Sequence, residues 1–594
     1  MVHIKRGALY LVLSAISVAC GPPPSAENPT STQPASSASP VASGSAAPMS
    51  TQARVLSDNV DIEVSLAPES QPAPVVHVTV TVRPDDVPLT TWVAKTALQL
   101  AANPTATDAR GNVALSVSTT SNGTTVTLER PTDGVLRMTY DVKADLPAFP
   151  NPPLIAVDPD RFEGAGQAMI LVPVPFAEKN LRAVVRIETD DVGTAEFVGA
   201  ASSFGHGSKV EASVRGSDLQ LGFYMAGLMG RASFRAPEGN DDAAWLGYTA
   251  FDPRPAFADM AGLRTALRQT FRSADTDKLT LLFLSDSRPA NSFSVTRRPR
   301  SIVARVGVQE PWTAPLRVAV ATSIVHGWIG SRLWIGPDDP EHEAEAYWFT
   351  EGVARHFARD LLFRYGLISP AEAASDVEGL AAILATSPAA SLTNAELGKK
   401  PRGALPALIA RGALYALRVD ALLRNRKEKK NSLESVLAEL YQKASQEKKA
   451  LPVSTWIDLL VSQLGENERV VFRDAIELGK PVSLPDNAMG PCFKRVSRTY
   501  EGFDIGFDEE ASNALKPRKV KGLVKGGPAE KAGLVEGDSI SSMSVGARSP
   551  NDDVIVSVQR GEEIKTFKYK PKGKSGKGPG FDRKKDISDD VCTQ

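Results

Sequence analysis

The chain has 594 residues, 42% of them hydrophobic and 23% charged, so it is long enough for several domains with separate cores. Lys and Arg total 68 and Asp and Glu total 69, and this formal net charge of −1 argues against a dedicated nucleic-acid-binding protein. The three cysteines are too few for a disulfide-built scaffold or a cysteine-rich zinc module, and only six histidines could contribute to a metal site.

Residues 1–20 have the pattern of a secretory signal peptide. Lys5 and Arg6 precede an apolar stretch that is too short to span a bilayer permanently. Ser17-Val18-Ala19-Cys20 resembles a bacterial lipobox, in which the cysteine is acylated. We therefore predict a lipid anchor at Cys20 in the bacterial envelope, and Gly21 after it favours the outer membrane, facing the periplasm or the cell surface; the alternative is an ordinary signal peptide with an unrelated cysteine.

Residues 21–54 consist almost entirely of Pro, Ser, Ala, Thr and Gly. Such a segment cannot bury enough apolar surface to offset the entropy of ordering it. The composition predicts a disordered tether between the membrane and the folded part of the chain.

Residues 55–216 predict a β-sandwich-like domain, the first folded part of a multidomain α+β protein. Apolar residues alternate with polar ones in several runs separated by turn residues, which is typical of half-buried strands. The clearest runs are Val60 to Leu66, Val76 to Val82 and Leu136 to Val142.

Residues 217–368 predict a mixed α/β domain, with long helices at Pro315 to Leu333 and Glu345 to Arg364. Residues 369–488 predict a helical domain. It opens with Ser369 as the N-cap, a proline at the first helical position and Glu372 as the partner of a capping box.

Residues 489–572 resemble a PDZ domain. The segment from Gly527 to Ile540 is similar to that family's short helix and following strand, and Tyr500, Glu501, Gly502 and Phe503 are similar to its carboxylate-binding loop. The resemblance implies that peptides or protein C-termini bind there, adding a strand to Asp504–Phe507, which includes Ile505. Residues 573–594 are predicted to be a flexible C-terminal tail.

Cys492 and Cys592 remain once Cys20 is assigned to the lipid anchor, and they flank the predicted PDZ domain. An exported protein meets an oxidising compartment, so we predict a disulfide that clamps the tail onto the start of this domain. The alternative is two free thiols.

The order of these domains resembles the glycyl aminopeptidase family of gluzincin metallopeptidases. Trp348-Phe349-Thr350-Glu351-Gly352 is similar to the family helix whose glutamate is the third zinc ligand, and His326-Gly327-Trp328 is similar to the end of the HExxHxW helix. Arg411 to Leu414 is similar to the family's lysine-glycine helix. The resemblance implies a thermolysin-like fold for residues 217–368.

The zinc-binding pattern is incomplete. In HExxH, two histidines bind zinc and the glutamate is the general base. When His326 is matched to the second histidine, Thr322 takes the place of the first and Ser323 the place of the glutamate. The resemblance further implies an oxyanion-stabilising tyrosine, but Leu408 or Ile409 stands there, and an acid on the edge strand for the substrate amine, but Pro289 to Arg300 contains none.

Our leading hypothesis is a lipid-anchored, catalytically inactive metallopeptidase homologue that needs no cofactor and binds peptides or serves as a scaffold. His326 and Glu351 are then remnants of a metal site. A second hypothesis keeps a zinc aminopeptidase with a rebuilt site, in which His342 or His356 joins His326 and Glu351 and the base is Glu343 or Glu345. A third is a different hydrolase that uses Ser323, although no nucleophile elbow surrounds it.

Overall fold

A computed structural model describes the following residues: 13–14, 56–84, 88–145, 154–192, 198–236, 239–247, 249–273, 277–286, 288, 293–337, 339–399, 401–426, 432–545 and 549–592. Cys20 and the predicted tether at 21–54 lie outside these residues, and of the predicted signal peptide only Leu13–Ser14 lies within them.

The strands, in chain order, are β1 (Leu13–Ser14), β2 (Ile62–Glu69), β3 (Val75–Val82), β4 (Thr91–Ala94), β5 (Thr105–Asp108), β6 (Gly111–Val113), β7 (Leu115–Thr120), β8 (Gly123–Leu128), β9 (Leu136–Lys143), β10 (Ile155–Asp158), β11 (Arg161–Ala165), β12 (Val172–Pro173), β13 (Asn180–Ile187), β14 (Val198–Ser202), β15 (Gly205–His206), β16 (Lys209–Arg215), β17 (Phe223–Ala236), β18 (Gly239–Leu246), β19 (Thr280–Asp286), β20 (Phe293–Arg298), β21 (Ser301–Gly307), β22 (Phe493–Phe503), β23 (Ser539–Ser544), β24 (Val554–Arg560), β25 (Glu563–Tyr569) and β26 (Lys572–Arg583).

The α-helices are α1 (Gly216–Leu221), α2 (Pro253–Phe271), α3 (Ala314–Val325), α4 (Ala354–Arg364), α5 (Pro370–Thr386), α6 (Asn394–Gly398), α7 (Pro401–Arg424), α8 (Leu433–Glu447), α9 (Val453–Leu464), α10 (Asn467–Phe472), α11 (Glu509–Ala514), α12 (Pro528–Lys531) and α13 (Asp589–Cys592). Shorter 3₁₀ turns occur at Gly166–Ala168, Val174–Phe176, Glu343–Ala346 and Pro388–Ser391, and π-helical turns at Trp348–Val353 and Arg473–Glu477.

The N-terminal region is rich in β-structure, as the alternating sequence predicts. One sheet has the strand order β16-β13-β2-β3-β9-β5-β6 and a second has the order β12-β4-β8-β7. Along β3, Val76, Val78, Val80 and Val82 are buried while the residues between them are partly exposed. Apolar side chains of both sheets, including Trp92 on β4, line one common core.

A third, larger sheet crosses the predicted domain boundary at residue 216. Its strands follow the order β1-β20-β21-β19-β18-β17-β11-β10, and β14 also pairs with β17. Strands β10, β11 and β14 come from the segment predicted to fold separately as residues 55–216. They join the later strands because β17 is long enough, at 14 residues, to pair with β11 and β14 at one end and with β18 at the other.

The helical region packs beside this sheet, and α5 begins as the sequence predicts. The amide of Glu372 donates to Oγ of Ser369 at 3.3 Å, and the amide of Ser369 donates to Oε2 of Glu372 at 2.7 Å, which confirms the capping box. Helices α2 to α5 and α7 to α10 contribute side chains to one continuous apolar core with strands β19 to β21.

The C-terminal region differs from the predicted PDZ domain followed by a tail. Residues 572–583 form β26, which pairs antiparallel with β22 from Phe493 to Phe503, and we call these two strands the stalk. The chain leaves the stalk after Phe503 and returns at Lys572, its partner in the register. Residues 504–571 therefore form an insertion, which we call the small domain, and its core is separate.

The stalk packs against α5 through its glycines. A Cβ atom on Gly576 would collide with the carbonyl of Ala385, so only glycine allows this approach. The carboxylate of Glu378 on α5 accepts the amide of Phe581 at 2.7 Å and forms an ion pair with Arg498 at 2.9 Å. The predicted tail is thus an ordered strand whose glycines serve close packing.

A disulfide joins Cys492, just before β22, to Cys592 in α13. Both cysteines are buried in the core that the helical region shares with Phe493 and Phe581. The disulfide therefore ties the base of the stalk to the helical region. Among the residues described, none of the helices combines the length and the apolar character needed to cross a bilayer.

Candidate functional site

Helix α3 carries the segment predicted to resemble HExxH. It is almost entirely apolar and buried, and it ends at Val325, with His326 as its C-cap residue. The predicted continuation to Leu333 is wrong because the chain turns after His326, and Gly330 has a φ of +90°. A side chain at Gly330 would lie 3.3 Å from Thr350 and 3.5 Å from Nδ1 of His326, so this glycine keeps the turn close to the histidine.

Glu351 lies in the π-helical turn Trp348–Val353 that leads into α4. Such turns widen a helix locally and are frequent at functional sites. The turn packs tightly on α7, because a Cβ on Gly352 would lie 2.7 Å from Cα of Gly412. The helix containing Glu351 is thereby fixed against the helical region.

The structure brings His326 and Glu351 together. Nε2 of His326 lies 3.1 Å from Oε2 of Glu351, and both side chains are about nine-tenths buried, at 13% and 12% exposure. Nδ1 of His326 lies 3.2 Å from the carbonyl oxygen of Ile329. Because a carbonyl oxygen only accepts, Nδ1 is the donor of this contact, and Nε2 is the ring nitrogen that faces the carboxyl group of Glu351.

Thr322 and Ser323 are turned into their own helix. The Thr322 hydroxyl donates to the carbonyl of Val318 at 2.7 Å, and the Ser323 hydroxyl donates to that of Ala319 at 3.0 Å. Both residues are buried, with 4% and 3% exposure. Their hydroxyls satisfy helical carbonyls one turn back, which is a common arrangement for Ser and Thr inside helices.

These residues do not fit the catalytic zinc ion that the resemblance implies. Such an ion takes three protein ligands from His, Glu, Asp or Cys and leaves one position open for water. His326 and Glu351 are two such ligands, whereas Thr322 has a neutral hydroxyl that is already bonded to Val318. Within the described part of the chain, no three His, Cys, Asp or Glu side chains form a group that could hold a metal ion.

The residues of the rebuilt-site hypothesis have other partners. Nδ1 of His342 is bonded at 2.7 Å to Asp339 on the surface, and this bond raises the pKa of the histidine. His356 is buried, and its Nδ1 accepts a bond from Arg359 at 2.6 Å. Glu343 and Glu345 lie in the 3₁₀ turn that precedes the π-helical turn.

Leu408 and Ile409, where the resemblance implies an oxyanion-stabilising tyrosine, are apolar residues of α7 with exposures of 0% and 9%. Neither side chain can donate a hydrogen bond.

Arg297 on strand β20 is a site residue that the sequence did not identify. Its Nη1 donates to the carbonyl oxygen of Ser323 at 3.3 Å, and this bond holds the guanidinium at the C-terminal end of α3, where a cation is favourable. The absence of an acidic residue from 289–300 was evident in the sequence. The side-chain direction of Arg297 could not be predicted, because it depends on how β20 packs on α3.

The predicted peptide-binding residues of the PDZ resemblance are arranged differently. Tyr500, Glu501, Gly502 and Phe503 lie in β22 and not in a loop, because this stretch pairs with β26 and the Tyr500 hydroxyl donates to Pro579 at 2.6 Å. Residues 504–507 do not form the predicted strand, because Oδ1 of Asp504 accepts the amide of Gly506, which has a φ of +87°. Ile505 is buried in the core of the small domain.

No protein-family model matches the chain, and neither does any curated protein sequence. Solved structures do match it. An aminopeptidase N family protein from Idiomarina loihiensis is 17% identical, with 89% of this chain and 99% of that chain covered and a TM-score of 0.60. An M1 zinc metallopeptidase from Deinococcus radiodurans, determined as a point mutant bound to a Tyr-Ser-Ala substrate, is 16% identical, with 72% and 96% covered and a TM-score of 0.46. The first of these similarities shows that the chain has the fold of an aminopeptidase N family protein.

Proposed function

We propose that this chain is a catalytically inactive relative of the glycyl aminopeptidase-type metallopeptidases, anchored to the bacterial envelope through Cys20, and that it binds peptides or proteins without cleaving them. The observation that carries the proposal is the state of Thr322 and Ser323. Both hydroxyls are buried and bonded to helical carbonyls where a metallopeptidase needs a metal ligand and a general base.

The loss of the ligand and the loss of the base reinforce one another. A metal ion held by His326 and Glu351 alone would lack one of its three protein ligands. Ser323 cannot accept a proton from water near neutral pH without a partner base, and its hydroxyl donates to Ala319. Restoring one of the two functions would still leave the other missing.

His326 and Glu351 retain a structural role in this proposal. Their contact joins the end of α3 to the π-helical turn. The small domain is a candidate surface for partners, although residues 500–503 do not form a carboxylate-binding loop in it.

The test is metal analysis of the purified full-length chain, combined with aminopeptidase assays on a panel of dipeptides. We expect far less than one zinc ion per chain and no hydrolysis above that of a His326→Ala, Glu351→Ala control. Stoichiometric zinc, or hydrolysis that this control abolishes, would contradict the proposal.

A matched variant tests whether the missing side chains are the reason. Thr322→His with Ser323→Glu converts Thr-Ser-Ile-Val-His into the sequence His-Glu-Ile-Val-His. The fold already places His326 beside Glu351, so this double variant should gain zinc that the unchanged chain lacks.

A further inference from the structure

Strand β7 forms one edge of the smaller N-terminal sheet. The strand order of that sheet is β12-β4-β8-β7, so β7 pairs with β8 on one side. Among the residues that the structure describes, no strand pairs with its other side. Leu115 and Val117 are half-buried against the core of this region, and the other four side chains of β7 are exposed. The described part of the chain therefore leaves the main chain of β7 unpaired along its outer side.

The sequence of this edge lacks the protection that edge strands usually have. Natural edges are blunted by charged side chains, by proline or by short length. Residues 111–128, which include β7, its turn and β8, contain neither a charged residue nor a proline. The other edges of the two N-terminal sheets are protected. Strand β6 has three residues, β12 has two and contains Pro173, and β16 carries Lys209, Glu211 and Arg215.

The hydrogen bonds around the hairpin show which residues of β7 direct their main chain outward. The amide of Leu128 on β8 donates to the carbonyl of Thr90, next to β4, at 2.8 Å. Leu115, its partner in the register, therefore belongs to a pair without mutual hydrogen bonds, and such pairs alternate with hydrogen-bonded ones. The N–H and C=O groups of Leu115, Val117 and Thr119 consequently point away from β8.

We propose that β7 pairs antiparallel with β7 of a second copy of this chain, so that the Val117 residues of the two copies face each other. Opposite residues of an antiparallel pair lie on the same face of the sheet. A twofold axis at Val117 makes Leu115 of one copy face Thr119 of the other, so all three outward-directed residues form hydrogen-bonded pairs. Ser116 then faces Ser118, and each contact joins small or apolar neutral side chains.

A second copy is the occupant that suits the chemistry of this edge. The hairpin is uncharged, so it has no charge with which to select a partner of opposite sign, and two identical copies pair without repulsion. Because the contact is only about one strand long, we expect a reversible dimer with a dissociation constant on the order of 10 μM. The inference does not depend on the proposed function, since it holds whether or not the chain binds zinc.

The test is sedimentation of the purified full-length chain between about 1 and about 100 μM, where the unchanged chain should change from monomer to dimer. Ser116→Lys combined with Ser118→Lys makes each new charge face a like charge of the other copy. Like charges directly opposite destabilise a strand pair, so this double variant should weaken association about tenfold.

The matched control adds the same charge to the same face one strand further in. Thr127 and Thr125 on β8 are opposite Ser116 and Ser118, so Thr125→Lys combined with Thr127→Lys is this control. In the dimer these charges would be three strand spacings apart, about 14 Å, which exceeds the screening length in physiological salt. The control should therefore associate like the unchanged chain.

A charge reversal tests the register. Ser116→Lys combined with Ser118→Glu makes each position 116 face an opposite charge at position 118 of the other copy, so association should return. If position 118 instead faced itself, two acids would meet and the variant would stay monomeric.

An unchanged chain that is monomeric at every concentration would overturn the inference, whatever other strand this edge accepts. A dimer that persists in the two-lysine variant would also overturn it, and so would a folded charge-reversed variant that fails to associate. Circular dichroism checks that each variant is folded. The concentration dependence of the unchanged chain needs no variant, so it decides the matter even if a substitution prevents folding.

Discussion

Nε2 of His326 and Oε2 of Glu351 are 3.1 Å apart, although the two residues are 25 positions apart in the sequence. Nδ1 of His326 faces the carbonyl oxygen of Ile329, so Nε2 is the ring nitrogen that faces Glu351. The pair therefore joins the end of α3 to the π-helical turn. A residue that only forms a hydrogen bond with His326 can be a glutamine, whereas a metal ligand at position 351 has to be a carboxylate.

Glu351→Gln should preserve stability, whereas Glu351→Ala should lower it. A glutamine amide can donate to the unprotonated Nε2 of His326, while alanine leaves that buried nitrogen without a partner, at a cost of about 1–3 kcal/mol in the free energy of unfolding. Urea unfolding of both variants measures the difference. If instead the two variants are equally destabilised, and the unchanged chain loses the same stability on chelation, then Glu351 is a metal ligand.

Gly412→Ala should destabilise the protein by about 3 kcal/mol, because overpacking a close contact forces backbone shifts. A Cβ at this position would collide with the carbonyl of Trp348 in the turn that carries Glu351. The control is Gly262→Ala in α2, where the added Cβ meets nothing within 4 Å. This control should raise stability by about 0.5–1 kcal/mol, because alanine has a higher helix propensity than glycine. Thermal unfolding should therefore show a lower unfolding temperature for Gly412→Ala and a higher one for Gly262→Ala.

The parts of the fold that depend on neighbouring residues could be predicted from the sequence. The capping box of Ser369 and Glu372 and the alternation along β3 need only a few consecutive residues, and the structure has both. The run of apolar residues beyond His326 suggested a longer helix, but Gly327 and Gly330 turn the chain there.

The features that depend on distant contacts could not be predicted. The glycine- and lysine-rich sequence of β26 suggested a flexible tail, because nothing local reveals that α5 provides a surface that only glycine can approach. The direction of Arg297 likewise depends on the packing of β20 against α3. The substitutions at Thr322 and Ser323 were evident from a resemblance, whereas their bonds to Val318 and Ala319 required the structure.

Two histidines should give opposite contributions to the pH dependence of stability. Burial and the neighbouring Arg359 hold the pKa of His356 below its ordinary value of about 6.5, although Asp420 and Asp360 act in the other direction. The unfolded chain therefore binds a proton at this residue near pH 6.5 when the folded chain does not, so stability falls as the pH drops below that value.

Asp339 raises the pKa of the exposed His342, and its contribution has the opposite sign. The stabilising contribution of His342 is present below about pH 6.5 and is lost as the pH rises through the pKa that this histidine has in the folded protein. We expect His356→Gln to reduce the loss of stability between pH 7 and pH 5, and His342→Gln to increase it slightly. Urea unfolding across this pH range measures both slopes, and a steeper acid loss in His356→Gln would refute the assignment.

Replacing both Cys492 and Cys592 by serine should lower stability by about 2–4 kcal/mol, because the disulfide closes a long loop and restricts the unfolded chain. The two cysteines are 100 positions apart in the sequence. Hydrogen exchange should increase most in β22, β26 and α13, since these elements are tied together by the bond. Little change in hydrogen exchange is expected in β24 and β25, which contribute to the core of the small domain. If exchange increased as much in β24 and β25 as in the stalk, the disulfide would not act specifically on the stalk.

Replacing residues 504–571 by Asn-Gly should leave the rest of the protein folded. Phe503 and Lys572 are already paired across the stalk, and the amide of Asp504 donates to the carbonyl of Pro571 at 2.8 Å, so a two-residue hairpin turn can join the strands. The apolar core of the small domain is separate from that of the helical region. The shortened chain should therefore unfold in one cooperative transition with the disulfide intact.

The matched control for this deletion removes residues 493–583, stalk included. It exposes the surface of α5 that the stalk covers, so it should lower the unfolding temperature markedly. If both variants lost the same amount of unfolding temperature, the rest of the fold would depend on the small domain.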